Sequence, residues 1–284
     1  VETVATIIQQ FKNALQHIYD EDEATNMALM TLEDILGKDR LYWMTNKQEG
    51  ISLSEANNKK LQAIIIELLA SKPIQYILGY TWFYDLKFNV NDNVLIPRPE
   101  TEELVYWILK DIKHKHHQLS ILDIGTGSGC IPVALAANIK EAKLYTADVS
   151  AKAIEMAKTN AASNKANVNF IEADILTKNG QLHIAETIKT KMDIIVSNPP
   201  YVRNSEKELM QANVLNFEPH LALFVDDTDA LLFYKAIADF AIENLTTGGS
   251  LYFEINENKT NEMTQMLINK GFKDIILKQD LNGR

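Results

Sequence analysis

Ile121-Leu122-Asp123-Ile124-Gly125-Thr126-Gly127-Ser128-Gly129-Cys130-Ile131 is the stretch on which the reading of the fold turns. An apolar strand ends at Ile124, three glycines alternate with small hydroxyl residues, and Pro132-Val133-Ala134-Leu135-Ala136-Ala137 continues as a helix. Glycines let a backbone approach a ligand closely, and a helix start offers unpaired N–H groups to negative charge. The spacing is G-x-G-x-G, not the dinucleotide G-x-G-x-x-G, and no Lys-Ser/Thr pair follows as in a phosphate loop. A pyrophosphate is therefore not the expected ligand.

Outward from the turn, two further apolar runs end in carboxylates. Leu144-Tyr145-Thr146-Ala147 leads into Asp148, nineteen residues after Gly129, and an acid at the tip of a second strand suits ribose hydroxyls. Val168-Asn169-Phe170-Ile171-Glu172-Ala173 leads into Asp174, placed to reach an adenine amino group. Alone, each acid reads as a solvated strand end; in register with the Gly-rich turn they read as one site. A fourth run, Asp193-Ile194-Ile195-Val196-Ser197, enters Asn198-Pro199-Pro200-Tyr201. Neither proline has a backbone N–H and each fixes its own φ, so the chain leaves the strand extended and stiff. That ledge carries one side-chain amide, free carbonyls and one aromatic ring. It suits a planar –NH2 group, with two acceptors for its hydrogens and a flat surface for its π face.

Composition narrows the class. The 284 residues are 46% hydrophobic and 23% charged, ordinary for a soluble globular protein, and the apolar runs are too short to span a bilayer. No leader pattern opens the sequence, and a cytoplasmic protein is expected. The single cysteine, Cys130, excludes an internal disulfide and reads as a small buried filler beside the turn. A formal charge of −10 argues against a protein whose main task is gripping nucleic-acid phosphates.

Residues 1–79 read as a helical module: Val4, Ile7, Ile8, Phe11 and Leu15 repeat at helical spacing, as do Met27, Leu29, Met30, Leu32 and Ile35, then Leu61, Ile64, Ile65, Leu68 and Leu69. Asp20 to Glu23 reads as a helix–helix connection. With no catalytic constellation of its own, the module is expected to dock a substrate. Residues 80–97 read as a β-hairpin linker, Trp82–Val90 returning through Asn91-Asp92-Asn93 to Val94-Leu95-Ile96. Pro97-Arg98-Pro99 stops it and Glu100-Thr101-Glu102-Glu103 opens a helix. That helix fades into Lys113-His114-Lys115-His116-His117, adjacent histidines that read as solvated rather than metal-binding. From residue 98 to 284 the chain is expected to form the catalytic domain, in which strands and helices alternate from Ser120 onward. The later strands would be Gly249–Glu254 and Phe272–Leu277, with helices over 151–160 and 230–245. Alternation predicts an α/β, doubly wound, mostly parallel sheet that binds its ligand across the strands' carboxyl ends.

The Gly-rich turn, the strand-end acids and the Asn-Pro-Pro-Tyr ledge together resemble class I S-adenosylmethionine-dependent methyltransferases acting on amino nitrogen. The match tightens with Pro73-Ile74-Gln75-Tyr76-Ile77-Leu78-Gly79, Val94-Leu95-Ile96-Pro97-Arg98-Pro99-Glu100-Thr101-Glu102, Phe217-Glu218-Pro219 with Ala222-Leu223, and Asp280-Leu281-Asn282-Gly283-Arg284. Over residues 71–284 the chain resembles the HemK/PrmC family, which methylates the side-chain amide N5 of the glutamine in the Gly-Gly-Gln loop of class-1 peptide chain release factors, a step in translation termination. The resemblance implies a seven-stranded sheet of order 3-2-1-4-5-7-6 behind a small N-terminal helical domain. Two departures stand out: Ile255-Asn256-Glu257 follows Glu254 where the family has an early glycine, and the family's last strand follows the segment ending at Arg284.

By that resemblance, Gly125, Thr126, Gly127, Ser128 and Gly129 would admit the methionine end of S-adenosyl-L-methionine, Asp148 its ribose and Asp174 its adenine amino group. Ile175 would cover the adenine face, and S-adenosyl-L-homocysteine would leave as product, with no metal. Asn198 Oδ1, which also borders the cofactor, and the Pro199 carbonyl would accept the target amide's two N–H bonds. Tyr201 would pack on the amide plane and Pro200 would stiffen the ledge. The expected partner is a class-1 release factor, with no membrane and no nucleic acid, and the chain is expected to be a monomer. The Asn-Pro-Pro-Tyr ledge is shared with adenine-N6 methyltransferases acting on DNA or RNA. That alternative calls for a basic channel and a flipped base.

Overall fold

In the computed structural model, residues 2–113, 115, 118–280 and 283 are described, and the chain divides into two units. One comprises residues 1–79 with 211–217, the other residues 80–210 with 218–284. Thr3 opens the first helix, α1 (Val4–Leu15), through a capping box with Thr6, and Asp20 opens α2 (Glu21–Leu36) through one with Glu23. The Asp20–Glu23 run is thus a cap and first helical turn, where carboxylates face the positive end of the helix dipole, rather than a connection. Then come α3 (Arg40–Thr45), α4 (Glu55–Leu69) and α5 (Ile74–Leu78), with β1 (Glu2–Thr3) paired antiparallel to β2 (Gly50–Ile51). Val4, Ile7, Phe11 and Leu15 pack with Leu29, Leu32, Leu61, Ile64 and Leu68 in one core. Met27, Met30 and Ile35 are only partly buried, whereas the small Ala24 and Ala28 turn inward and allow α1 and α2 to pack closely.

The second unit opens with a hairpin of β3 (Tyr80–Phe83) and β4 (Leu86–Asn89). Its turn falls at Tyr84 and Asp85, with φ of 51° and 60°, not at Asn91–Asn93. Two consecutive positive-φ residues give the turn the twist that antiparallel strands need. Val94–Ile96 consequently forms no strand; the Val94 N–H donates to the Asn91 carbonyl and the Ile96 N–H to Glu218 Oε2. Pro99 occupies the first turn of α6 (Pro99–Ile112), with Glu100 and Glu102 beside it.

After it alternate β5 (Ser120–Ile124), α7 (Cys130–Asn138), β6 (Lys143–Asp148), α8 (Ala151–Ser163), β7 (Val168–Glu172), α9 (Lys178–Ile188) and β8 (Met192–Ser197). Beyond β9 (Val202–Arg203) comes α10 (Ala212–Phe217), which groups with the first unit and not with the catalytic domain expected over residues 98–284. Then follow α11 (His220–Leu223), β10 (Phe224–Val225), α12 (Leu232–Asn244), β11 (Leu245–Phe253) and α13 (Thr260–Asn269). The central sheet has five parallel strands in the order β11-β8-β5-β6-β7. Strand period two sends Ile121, Ile194 and Val196 to one face, against Leu104, Ile108 and Val133 of α6 and α7. Leu122, Ile124 and Ile195 go to the other, against Ile184, Ile237 and Phe240 of α9 and α12.

The expected strand over Phe272–Leu277 is absent: the run forms no ladder, and Ile276 and Leu277 are exposed. The expected His114, His116 and His117 cluster lies outside the described residues. Among the described residues, no helix is long and apolar enough to cross a membrane.

Candidate active site

Parallel strands end together, and the ends of β5, β6 and β8 open on one cavity of about 240 Å³. Ile124 is level with Ala147 on one side and with Ser197 on the other. The Gly125 N–H donates to the Ala147 carbonyl at 2.8 Å, and Ser197 Oγ donates to the Ile124 carbonyl at 2.6 Å, locking the three tips. Gly125, Thr126, Gly127 and Ser128 line the cavity, as do Asp148, Asp174, Ile175, Asn198, Pro199 and Pro200. Gly129 stands beside this wall rather than in it. Its φ is 81°, and a Cβ there would lie 2.9 Å from Ala157 Cβ, so the glycine is demanded by the close approach of α8.

Asp148 Oδ2 accepts the Gly127 N–H at 3.0 Å and Oδ1 accepts the Ser150 N–H at 2.9 Å. Each carboxylate oxygen keeps a second lone pair, so the acid shapes the Gly-rich turn and still offers acceptors to the cavity. Burial pushes its pKa up, against the hydrogen bonds from those backbone amides. Asp174 Oδ1 accepts the Leu176 N–H at 2.9 Å, which tightens the turn presenting Ile175. Gly180 abuts the Asp174 carbonyl so closely that no side chain fits there.

Beneath the turn, Asp123 is fully buried; Thr146 Oγ1 donates to its Oδ2 at 2.7 Å, while Asp123 Oδ1 and Thr126 Oγ1 lack a partner of hydrogen-bonding geometry. Burial pushes the Asp123 carboxyl up to about 7. Between its unfolded value near 4 and about 7 the folded chain holds a proton that the unfolded chain has lost. Stability of the ligand-free protein therefore falls as pH rises through that window. We expect Asp123 to contribute a loss of about 2 kcal/mol between about pH 5 and pH 7. Asp123→Asn should flatten that slope, and urea titrations across the range read it directly.

At the ledge, Asn198 Nδ2 donates to Thr101 Oγ1 at 3.1 Å, and Thr101 Oγ1 donates to Glu254 Oε2 at 2.7 Å. The Tyr201 hydroxyl donates to Glu254 Oε1 at 3.3 Å. Burial raises the pKa of Glu254, against the hydrogen bonds from Thr101, Tyr201 and Asn198, with Glu100 adding to the rise. Tyr201 is not part of the cavity wall. Its ring packs against the cluster of Leu231, Tyr234 and Met263, and burial pushes its hydroxyl up. Cys130 does line the cavity; burial pushes its thiol up to about 12, so it is no nucleophile at neutral pH. Among the described residues, no group of three His, Cys, Asp or Glu side chains could hold a metal ion.

Pro97 and Arg98 also line the cavity, as do Pro219, Leu221 and Ala222. Arg98 pairs with Glu218, whose side chain is 1% exposed and whose Oε2 also accepts the Ile96 N–H at 3.3 Å. A buried asparagine ties the hairpin to the Gly-rich turn. Asn160 Oδ1 accepts the Asn89 N–H at 2.7 Å, and its Nδ2 donates to the Asn89 carbonyl at 3.0 Å and the Ser128 carbonyl at 2.8 Å.

Comparison with known proteins finds relatives for both units of the chain. Residues 106–221 match the methyltransferase small domain and residues 6–79 match the PrmC N-terminal domain. A release factor glutamine methyltransferase from Flavobacterium psychrophilum is 45% identical over 96% of this chain and 94% of its own length. The chain belongs to the release factor glutamine methyltransferase family. A Bacteroides thetaiotaomicron member of that family is 41% identical over 98% of this chain and 96% of its own. Among solved structures, the delta-N METTL16 MTase domain superposes with a TM-score of 0.51 at 20% identity, covering 71% of this chain and 85% of that one, a likeness of fold alone. Within a release factor glutamine methyltransferase, the residues to which sequence reasoning gave no role are Thr101, Glu254, Asn160, Arg98 and Glu218, each bonded to a partner distant in sequence. They entered it only as letters of a motif or of an element. Their signal was present as polar residues in otherwise apolar or capping positions.

Proposed function

We propose that this chain transfers the methyl group of S-adenosyl-L-methionine to the side-chain amide N5 of the glutamine in the Gly-Gly-Gln loop of class-1 release factors. The observation that carries this reading is the Asn198 amide, turned so that its Nδ2 meets Thr101 and its Oδ1 is left as an acceptor in a wall shared with Pro199 and Pro200. The cavity's chemistry fits the cofactor: spare lone pairs on Asp148, the strand-end Asp174 and the apolar Ile175 beside the Gly-rich turn. When bound, S-adenosylmethionine supplies an electrophilic methyl group on a sulfonium.

The chain's own task concerns the nucleophile, because an amide nitrogen's lone pair is delocalised into its carbonyl. Asn198 Oδ1 and the Pro199 carbonyl accept the two N–H bonds, hold the nitrogen in place and favour the charge that gathers as it pyramidalises. One of those hydrogens departs as a proton to water once the nitrogen is methylated. Pro200 keeps the ledge stiff, and Tyr201 anchors it through Glu254. The helical unit of residues 1–79 serves as the docking surface for the folded substrate.

Mass spectrometry of purified release factor after incubation with the chain and cofactor tests this reading. Methylation is expected on the loop glutamine, absent from a Gln→Ala loop, and poor on a short Gly-Gly-Gln peptide that cannot use the docking unit. Methyl transfer that survives the Gln→Ala change, or transfer to adenine in DNA or RNA with none to release factor, overturns it. Asp148→Ala should weaken S-adenosylhomocysteine binding by about 1.5–3 kcal/mol by calorimetry, while turnover at saturating cofactor falls much less. Unchanged affinity would move the ribose elsewhere.

A further inference from the structure

We propose that Thr101 and Glu254 are positioning residues that decide which end of the Asn198 amide faces the target nitrogen. An asparagine amide is nearly symmetric in shape, with an acceptor at one end and a donor at the other. A target –NH2 needs the acceptor. Nothing in Asn198 itself imposes that choice, since a half-turn about its last side-chain bond exchanges the two ends.

The polarity is imposed from Glu254. Two hydroxyl donors converge on this carboxylate, Thr101 at Oε2 and Tyr201 at Oε1. A hydroxyl has one hydrogen, and Thr101 spends it on Glu254 Oε2 at 2.7 Å. Thr101 Oγ1 can then only accept, so the Asn198 end 3.1 Å away must be Nδ2. Oδ1 is left for the substrate. The carboxylate is held in turn by its own backbone: the Tyr234 hydroxyl donates to the Glu254 carbonyl at 3.0 Å and the Glu254 N–H to the Ser197 carbonyl at 3.1 Å. Thr101 comes from the first turn of α6, Glu254 from the residue after β11 and Asn198 from the residue after β8. The Thr101 side of the relay lies in the cavity wall.

The inference rests on Asn198 being the acceptor for the target amide. Its test is turnover on whole release factor, read beside S-adenosylhomocysteine affinity and thermal midpoint, for Thr101→Val, Thr101→Ser, Glu254→Gln, the Thr101→Val/Glu254→Gln pair and Asn198→Ala in the full chain. Glu254→Gln keeps the shape but offers Thr101 an N–H, which permits the reversed polarity. We expect Thr101→Val and Glu254→Gln each to lower kcat about tenfold, with KM for release factor and S-adenosylhomocysteine affinity within about threefold. The double variant should be no worse than the slower single one, because both release the same amide. Thr101→Ser, which restores the hydroxyl, should recover most of the loss. Normal kcat in Thr101→Val and Glu254→Gln beside a slow Asn198→Ala would overturn the relay and leave the site reading standing. Normal kcat in Asn198→Ala as well would sink the site reading itself. Losses of affinity and thermal midpoint that track kcat, with no recovery in Thr101→Ser, would mean ordinary structural damage and also overturn the relay.

Discussion

Asn198→Ala is expected to cut turnover by about 10²–10³ while S-adenosylhomocysteine affinity stays within several-fold, the scale of losing one preorganised polar partner of a reacting group. The asymmetry follows from where the side chain acts. In the proposed role its Oδ1 would meet the nucleophile, whose charge changes only on the way to the transition state, so its removal should be felt in kcat more than in binding. The ledge should survive the truncation, because Pro199 and Pro200 still restrict the backbone and Ser197 Oγ still holds the Ile124 carbonyl. Asn198→Asp is also expected to fail, since it keeps the acceptor but places a charge beside the sulfonium. Single-turnover rates with saturating release factor separate the chemical step from docking. Near-normal turnover in Asn198→Ala would remove this side chain from the reaction.

The second large effect is expected on stability. Arg98→Met should destabilise the chain by about 3–5 kcal/mol, because it leaves the Glu218 carboxylate buried without its counter-charge. Glu218→Gln should cost less, since the group it strands is the Arg98 guanidinium, whose side chain is 33% exposed and still reaches water. The combined Arg98→Met/Glu218→Gln variant should then recover part of the Arg98→Met loss, as breaking a buried pair costs more than replacing it. Urea denaturation of the four proteins reads the whole cycle. Equal effects for the two single variants would contradict the burial argument. The pair also ties the Ile96–Arg98 segment to the Glu218–Pro219 segment across the cavity, so Arg98→Met should loosen the site as well as the fold.

Much of the site was legible because its parts are punctuated locally. Gly125 to Ser128, Asp148, Asp174 and Asn198–Pro200 each follow an apolar run, and parallel strands must end together, so strand-end residues far apart in sequence meet by topology. The hairpin turns earlier than its composition predicts. Asn91-Asp92-Asn93 is the stronger turn signal by composition, yet Tyr84 and Asp85 adopt positive φ and close the strands. The partner strand and the packing of Phe83 against Phe88 outweighed the local preference. Phe272–Leu277 carries a strand's composition but forms no ladder, and a strand exists only through its ladder.

By itself, then, the sequence determined the alternation that makes a parallel sheet, the Gly-rich turn, the acids at its strand tips and the stiff amide ledge. Each of those depends on residue types at short spacing, where backbone sterics and hydrogen-bonding capacity act directly. Only the tertiary structure decided that Thr101 and Glu254 face Asn198, that Arg98 meets Glu218, that Asn160 grips both Asn89 and Ser128, and that Tyr201 leaves the cavity for the core. Those contacts join residues 32 to 153 positions apart. No local pattern encodes them, because a hydrogen bond between distant residues forms only once sheet register and helix packing have set both ends within 3 Å or so of each other.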